Sequence, residues 1–348
     1  MAANAISPVA ARWIRAWLIL LGLLVYATIL VGGATRLTDS GLSITEWQPV
    51  KGALPPLDEA SWLAEFDKYR ETTQYKLQNH GMSLAEFQFI YWWEWGHRQL
   101  GRFIGLVAVI GLAVFAARRW LGGGLGWKLL GLVALGGLQG AIGWWMVASG
   151  MGDTDRVSVA PYRLMTHFSL ALLILCVITW LWLSLRGAPR AAAPEGRRTS
   201  ILLLALVFMQ MAAGALVAGL DAGRSYNDWP LMAGELVPSH YIQGDLGIRS
   251  LFEGRAATQF NHRVLAYVLW GLSLWAAWRY WGGALARPFA VLAALVSAQA
   301  LWGILTLLNA APLTLALVHQ GLGVIVTLAA VYLVWRAAAP ATPSPVQE

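Results

Sequence analysis

Along the chain, long apolar runs alternate with polar stretches. Runs of about 20 residues or more, the length a helix needs to cross the hydrocarbon layer of a bilayer, cover 15–35, 91–117, 127–149, 161–185, 200–221, 258–280, 286–308 and 313–335. The pattern predicts an all-α polytopic membrane protein with eight transmembrane helices. Two polar stretches, 37–90 and 222–257, are too long to be simple turns. The run "RGAPRAAAPEGRR" at 186–198 divides the helices into two groups of four, with 186–199 as a linker. The tail 337–348, rich in Pro and Ala, is expected to be disordered.

Composition agrees with this pattern. Hydrophobic residues make up 58% of the 348 positions and charged residues 12%, against about 25% charged in an ordinary soluble domain; the mean hydropathy is +0.56. The charge is unevenly distributed. With eight spans, the terminus-side segments hold twelve of the 25 Lys and Arg but only Glu195 and Glu348 of the 18 Asp and Glu. That bias predicts both termini in the cytoplasm and the two long loops outside a bacterial inner membrane. It also accounts for the net charge of +7 without nucleic acid as a partner. The first apolar run follows Arg12 and Arg15, and no small-residue cleavage site comes promptly after it, so it is read as a retained span. The single cysteine, Cys176, lies in an apolar run. An intrachain disulfide and a Cys-rich metal centre are both excluded.

The two groups of four helices match one another. "TDSGLSITEWQPVKGALPP" follows the first span and "LDAGRSYNDWPLMAGELVP" the fifth, pairing Asp39 with Asp221, Gly41 with Gly223, Ser43 with Ser225, Trp47 with Trp229 and Gly52 with Gly234. "GHRQLG" at 96–101 parallels "NHRVLA" at 261–266, and Gln139 has a counterpart in Gln299. An even number of spans per unit preserves orientation, so the expected arrangement is two parallel four-helix repeats, 1–185 and 200–336, related by an axis near the membrane normal.

Four of the six histidines, His97, His167, His262 and His319, fall in the second, fourth, sixth and eighth spans. Each is the fifth to seventh residue of its run, roughly 8–10 Å below the outer boundary at 1.5 Å per residue. Neutral imidazole is a good axial ligand for haem iron. Two histidines per repeat at a common depth read as two haem or metal sites; copper or a two-metal centre is the alternative. Gly32 and Gly33, and the Gly101/Gly105 pair, are candidate pocket linings. Arg98, Arg102 and Arg263 lie near the outer interface, where they could meet haem propionates or lipid headgroups. His80 and His240 sit in the outer loops. Glu94 breaks the symmetry: it stands three residues before His97, while Gln259 holds the matching place before His262. A buried carboxylate there could move protons or stabilise a developing cation; an i, i+4 pair with Arg98 is the structural alternative. The asymmetry marks the first repeat as the site of chemistry.

These residues carry a resemblance. "EWGHR" at 94–98, "FNHR" at 260–263, "TH" at 166–167, "HQ" at 319–320 and above all "GGATRLTDSGLSITEW" at 32–47 resemble the haem A synthase family, in its alphaproteobacterial and mitochondrial form, over roughly 15–335. The resemblance implies oxidation of a methyl group of haem O, through hydroxylated intermediates, to the formyl group of haem A for cytochrome c oxidase. It implies that His97 and His167 flank the substrate haem O, that His262 and His319 ligate a resident haem b, and that Glu94 is catalytic. Implied partners are haem O synthase, the cytochrome c oxidase assembly machinery and an electron acceptor that the residues do not identify. Homo-oligomeric assembly is left open. Many Gram-positive relatives carry cysteine pairs in the outer loops; 37–90 and 222–257 contain none, so a redox role of such cysteines cannot operate here and the route of the electrons is left open. Arg36, Thr38 and Trp47 are candidates for closing the outer side of the substrate pocket, and 57–90 for a lid. Two rival readings stay open: a dihaem electron-transfer protein, and a haem transporter or chaperone.

Overall fold

The computed structural model describes residues 6–48, 50–152, 154–186 and 194–338. Half of the expected linker, 187–193, and the tail beyond 338 lie outside the described residues. The helices are α1 (Pro8–Leu37), α2 (Glu59–Arg70), α3 (Thr73–Leu77), α4 (Leu84–Ala117), α5 (Leu125–Val147), α6 (Pro161–Arg186), α7 (Pro194–Gly219), α8 (Ser250–Glu253), α9 (Arg255–Arg279), α10 (Ala286–Leu308) and α11 (Leu313–Ala337). Among the described residues, seven are long and apolar enough to cross a membrane: α1, α4, α5, α6, α7, α10 and α11. The remaining long helix, α9, covers the sixth expected span. Its first half carries Gln259, Asn261, His262 and Arg263, and this polar stretch sets it apart from the other seven.

The helices close into two rings. In the first, α1 and α5 each pack on both α4 and α6; in the second, α7 and α10 each pack on both α9 and α11. The rings meet where α6 touches α7 and α11 and where α1 touches α11. Lipid tails give helices no hydrophobic reason to associate, so close packing and internal hydrogen bonds hold such a bundle together. Trp17 illustrates both. Its ring lies where a side chain on Gly111 would stand, meets Phe115 edge-on, and its indole N–H donates to the carbonyl of Val107 at 2.9 Å. Ile14, Leu18, Leu129, Leu172 and Leu175 complete the first apolar core, and Leu203, Val207, Phe289, Leu292 and Leu333 form the second.

Helix α4 begins at Leu84 rather than near 91. Ser83 and Glu86 form a reciprocal capping box there, which satisfies donors at the helix start and extends α4 beyond the N-terminal end of its apolar run. The extension has a use. Phe66 and Tyr69 of α2 pack on Phe87, Ile90 and Tyr91 of α4 as a separate buried cluster. Burial pushes the Tyr69 phenol up to about 12, and its hydroxyl donates to Gln74 and accepts from Asn79. The segment expected to act as a lid thus stands against the N-terminal end of the helix that carries Glu94 and His97.

The turns after α1 and α7 are alike. Asp39 and Asp221 both take the left-handed conformation, with φ of 51° and 52°, which Asp tolerates better than most residues. Arg36 joins the two turns: Nη1 pairs with Asp39 at 2.9 Å and Nη2 with Asp221 at 2.6 Å.

Candidate functional site

Each histidine in the bundle rests against a glycine on a neighbouring helix. A Cβ on Gly32 would stand 2.8 Å from Cε1 of His97, on Gly143 2.8 Å from Cε1 of His167, on Gly214 3.1 Å from Cε1 of His262, and on Gly303 2.7 Å from Cε1 of His319. The glycines leave the room that the imidazoles fill. His97 and His167 face each other with ring centroids 6.4 Å apart and planes inclined at 75°. His262 of α9 and His319 of α11 hold the equivalent places in the second ring, seated on α7 and α10. The structure therefore brings the expected residues together as two pairs, one per ring of helices.

Glutamines surround these pairs. Gln139 donates to the main-chain oxygen of His167 at 3.0 Å, Gln210 to that of His262 at 3.1 Å and Gln299 to that of His319 at 2.9 Å. Nδ1 of His97 and of His319 is buried without a hydrogen-bond partner. Among the described residues no group of three or more His, Cys, Asp or Glu converges on one point. Two facing imidazoles suit an iron that takes only axial ligands from the protein, as haem iron does, better than a four-ligand cage. The residues present fit a haem at each pair.

Glu94 is 3% exposed and fully partnered. Oε1 accepts from Arg98 Nη2 at 2.6 Å and Nε at 3.1 Å; Oε2 accepts from the Ser43 hydroxyl and the Ile44 N–H, both at 2.8 Å. The i, i+4 pair with Arg98 is formed, and it sits within a larger network that ties the outer loop to α4. Arg98 also donates to the carbonyls of Ile44 and Glu46. The second ring repeats the arrangement without the carboxylate: Arg263 donates to the carbonyls of Tyr226, Asp228 and Leu231, and Gln259 to Tyr226. Nε of Arg263 is buried and unpartnered, whereas Arg102 reaches Gln99 and the carbonyl of Gln48.

Other expected residues fall elsewhere. Gly33 lies against Gln320 instead of a histidine, and nothing lies within 4 Å of where a side chain would stand on Gly101 or Gly105. Thr38 bonds Ser40, while Trp47 is half exposed and stacks obliquely on Trp144. Cys176 is partly buried and free. Sequence reasoning missed Gln210 and the glycines Gly143, Gly214 and Gly303. A shared spacing could have found them: "TILVG", "QGAIG", "QMAAG" and "QALWG" each place the glycine four residues after Thr28, Gln139, Gln210 and Gln299.

Fold and site together define a polytopic membrane protein built around two histidine pairs. A family model described as COX15-CtaA, cytochrome oxidase assembly protein, matches residues 15–331, and the chain belongs to this family. It is 73% identical over 343 residues to the heme A synthase of Hyphomonas neptunium, covering 98% of each chain. It is 50% identical over 336 residues to the heme A synthase of Azorhizobium caulinodans, covering 93% of this chain and 95% of that one. With the heme A synthase of Maricaulis maris the identity is 47% over 337 residues, covering 95% and 98%.

Proposed function

We propose that this chain is a haem A synthase, an integral-membrane oxidoreductase that converts a methyl group of haem O to a formyl group through hydroxylated intermediates. The observation that carries the reading is the pairing of histidines at two places, with a buried carboxylate beside only one of them. His97 and His167 hold the substrate haem O, and His262 and His319 a resident haem b. Bound there, the iron porphyrins supply the redox centres and, in the first pair, the methyl group to be oxidised. Glu94 stands one helical turn from His97, and its buried carboxylate, paired with Arg98, would stabilise positive charge that develops as the methyl group is oxidised. Its four hydrogen-bond donors hold it in place. Gln259 offers no such charge, so chemistry belongs to the first pair and electron transfer to the second. The unpartnered Nε–H of Arg263 fits a propionate; Arg98 and Arg102 are the candidates for the propionates of the first haem.

In this reading α9 also crosses the membrane, as the sixth of eight spans, and the two rings are parallel repeats, 1–185 and 200–336. The equivalent clamps of Arg98 on Ile44 and Arg263 on Tyr226 support the duplication. Both termini lie in the cytoplasm of a bacterial inner membrane, with the paired histidines toward the outer side. Haem O synthase delivers the substrate, cytochrome c oxidase assembly receives the product, and a separate acceptor removes the electrons.

The test is pigment chemistry. The protein is produced beside a source of haem O, and the extracted haems are identified by mass. Haem A or its hydroxylated precursor is expected with the wild type and not with Glu94→Ala. Unchanged haem O in the wild type overturns the synthase reading in favour of a carrier. Turnover that survives Glu94→Ala, with both haems fixed, favours an electron-transfer protein.

A further inference from the structure

This inference rests on the haem reading above and concerns how the two pairs tell their haems apart. Haem O carries a long isoprenoid tail on the edge of the macrocycle opposite the propionates; haem b has only a vinyl group there. One ring of helices must make room for the tail, and the other need not.

The rings differ on one wall. His97 and His262 set the register of α4 on α9, and Gln139 and Gln299 that of α5 on α10. Gly105 then matches Trp270, Gly136 matches Val296 and Gly137 matches Ser297. In the second ring this wall is closed. The indole N–H of Trp270 donates across it to the Ser297 hydroxyl at 3.0 Å, and Val296 is 4% exposed. In the first ring nothing lies within 4 Å of where a side chain would stand on Gly105, Gly136 or Gly137. Close packing puts a neighbour's atoms at a glycine, as Trp17 lies at Gly111. No neighbour fills these three, so packing does not account for them. Helix α4 also packs less closely on α5 than α9 does on α10. The buried side chains of α5, Leu125, Leu129 and Leu132, all lie in its first half. Its second half carries Gln139, whose Oε1 is buried without a partner.

The gap lies at the depth the tail requires. Gly105 follows His97 by eight residues, about 12 Å along the helix. Gly137 precedes Gly143, the seat of His167, by six, about 9 Å. Both steps lead away from the loop 37–90. Arg98 and Arg263 meet the outer loops, so propionates held there leave the opposite edge of each macrocycle facing this wall.

We propose that the gap between α4 and α5 at Gly105, Gly136 and Gly137 receives the isoprenoid tail of haem O, and that Trp270, Val296 and Ser297 close the same place in the second ring. Gly105 and Gly137 are then specificity-determining residues: they admit a tailed haem to the first pair, and their counterparts reserve the second for haem b.

The experiment uses the full chain, produced in cells that supply both haems and purified in detergent. Bound haems are extracted and quantified by mass, and the readout is the ratio of tailed haem (haem O and its oxidised products) to haem b. Gly105→Trp with Gly137→Ser copies the closed wall into the first ring. Excluding a few buried carbons corresponds to at least roughly a tenfold loss of affinity. The ratio is expected to fall by about that factor or more, with haem b taking the vacated place. Trp270→Gly with Ser297→Gly opens the second ring, and the ratio is expected to rise. The spectrum of the second haem reports folding of the first variant. A folded first variant with the wild-type ratio, or one whose first pair loses both haems alike, overturns the proposal. If that variant fails to fold, the second decides, and no rise in the ratio overturns it. A wild type that binds only haem b sinks the synthase reading and this inference with it. A wild type that binds tailed haem, with both variants silent, sinks only the inference.

Discussion

Replacing Glu94 separates two roles that an activity assay alone would merge. The carboxylate and Arg98 are both largely buried, with side chains 3% and 15% exposed, and the carboxylate accepts four hydrogen bonds. Glu94→Ala leaves the guanidinium without its counter-charge and strips the Ser43 hydroxyl and the Ile44 N–H of their acceptor. Breaking a buried pair by removing one partner costs about 3–5 kcal/mol. Glu94→Gln keeps the shape but turns an NH2 group toward donors on one side, for a loss of about 1–3 kcal/mol. Unfolding by denaturant titration in mixed micelles, followed by tryptophan fluorescence, measures both. A double-mutant cycle with Arg98→Met isolates the pair, with an expected coupling above about 1 kcal/mol. If Glu94→Ala unfolds within about 0.5 kcal/mol of the wild type, or its effect adds to that of Arg98→Met within the same margin, the carboxylate does not hold the loop as described. If Glu94→Gln is nearly as stable as the wild type yet makes no haem A, the charge itself is what the reaction needs.

Further outcomes follow from other sites. Gly143→Ala drives a methyl group into Cε1 of His167 and is expected to lower haem content at the first pair alone; Gly303→Ala does the same at the second, and the two spectra read separately identify which is lost. Gly101→Ala, with open space beside it, is expected to leave both spectra unchanged. Burial raises the Asp39 carboxyl above its usual 3.8 more than Arg36 lowers it, so the folded protein binds this proton more readily than the unfolded chain. Stability from this group is then present at low pH and falls as pH rises above 3.8 through the raised value. Asp39→Asn, which also tolerates the left-handed turn, is expected to flatten that decline in a pH series of unfolding measurements. Tyr69→Phe removes the hydroxyl shared by Gln74 and Asn79 and is expected to cost about 1–2 kcal/mol by the same unfolding assay.

The long helices were legible because each is an apolar run of membrane length, and the histidine pairs because four imidazoles recur at one depth of alternate spans. The i, i+4 spacing also announced the Glu94–Arg98 pair. The Ser43 and Ile44 contacts that complete its network were hidden, since they join residues about 50 positions apart. The outward extension of α4 was obscured by polar residues before 91, although the Ser83/Glu86 spacing marks its start. The glycines seating His167, His262 and His319 were lost among 36 glycines, a residue that membrane helices use freely for packing; only the polar residue four places earlier distinguishes them. The Gly101/Gly105 spacing misled for the same reason: neither glycine seats a histidine.

Gly32 and Gly33 are consecutive, yet they serve different halves of the molecule. Gly32 seats His97, and Gly33 seats Gln320, the residue next to His319; Gln320 in turn donates to the carbonyl of Ile29 at 2.7 Å. Helix α1 is therefore a common wall, bearing on both sites within a single peptide unit. Sliding or rotating it to ease one site loads the other. The two halves can diverge freely in their outer loops, but along this wall neither can change size alone, and a substitution accepted on one side must be answered on the other.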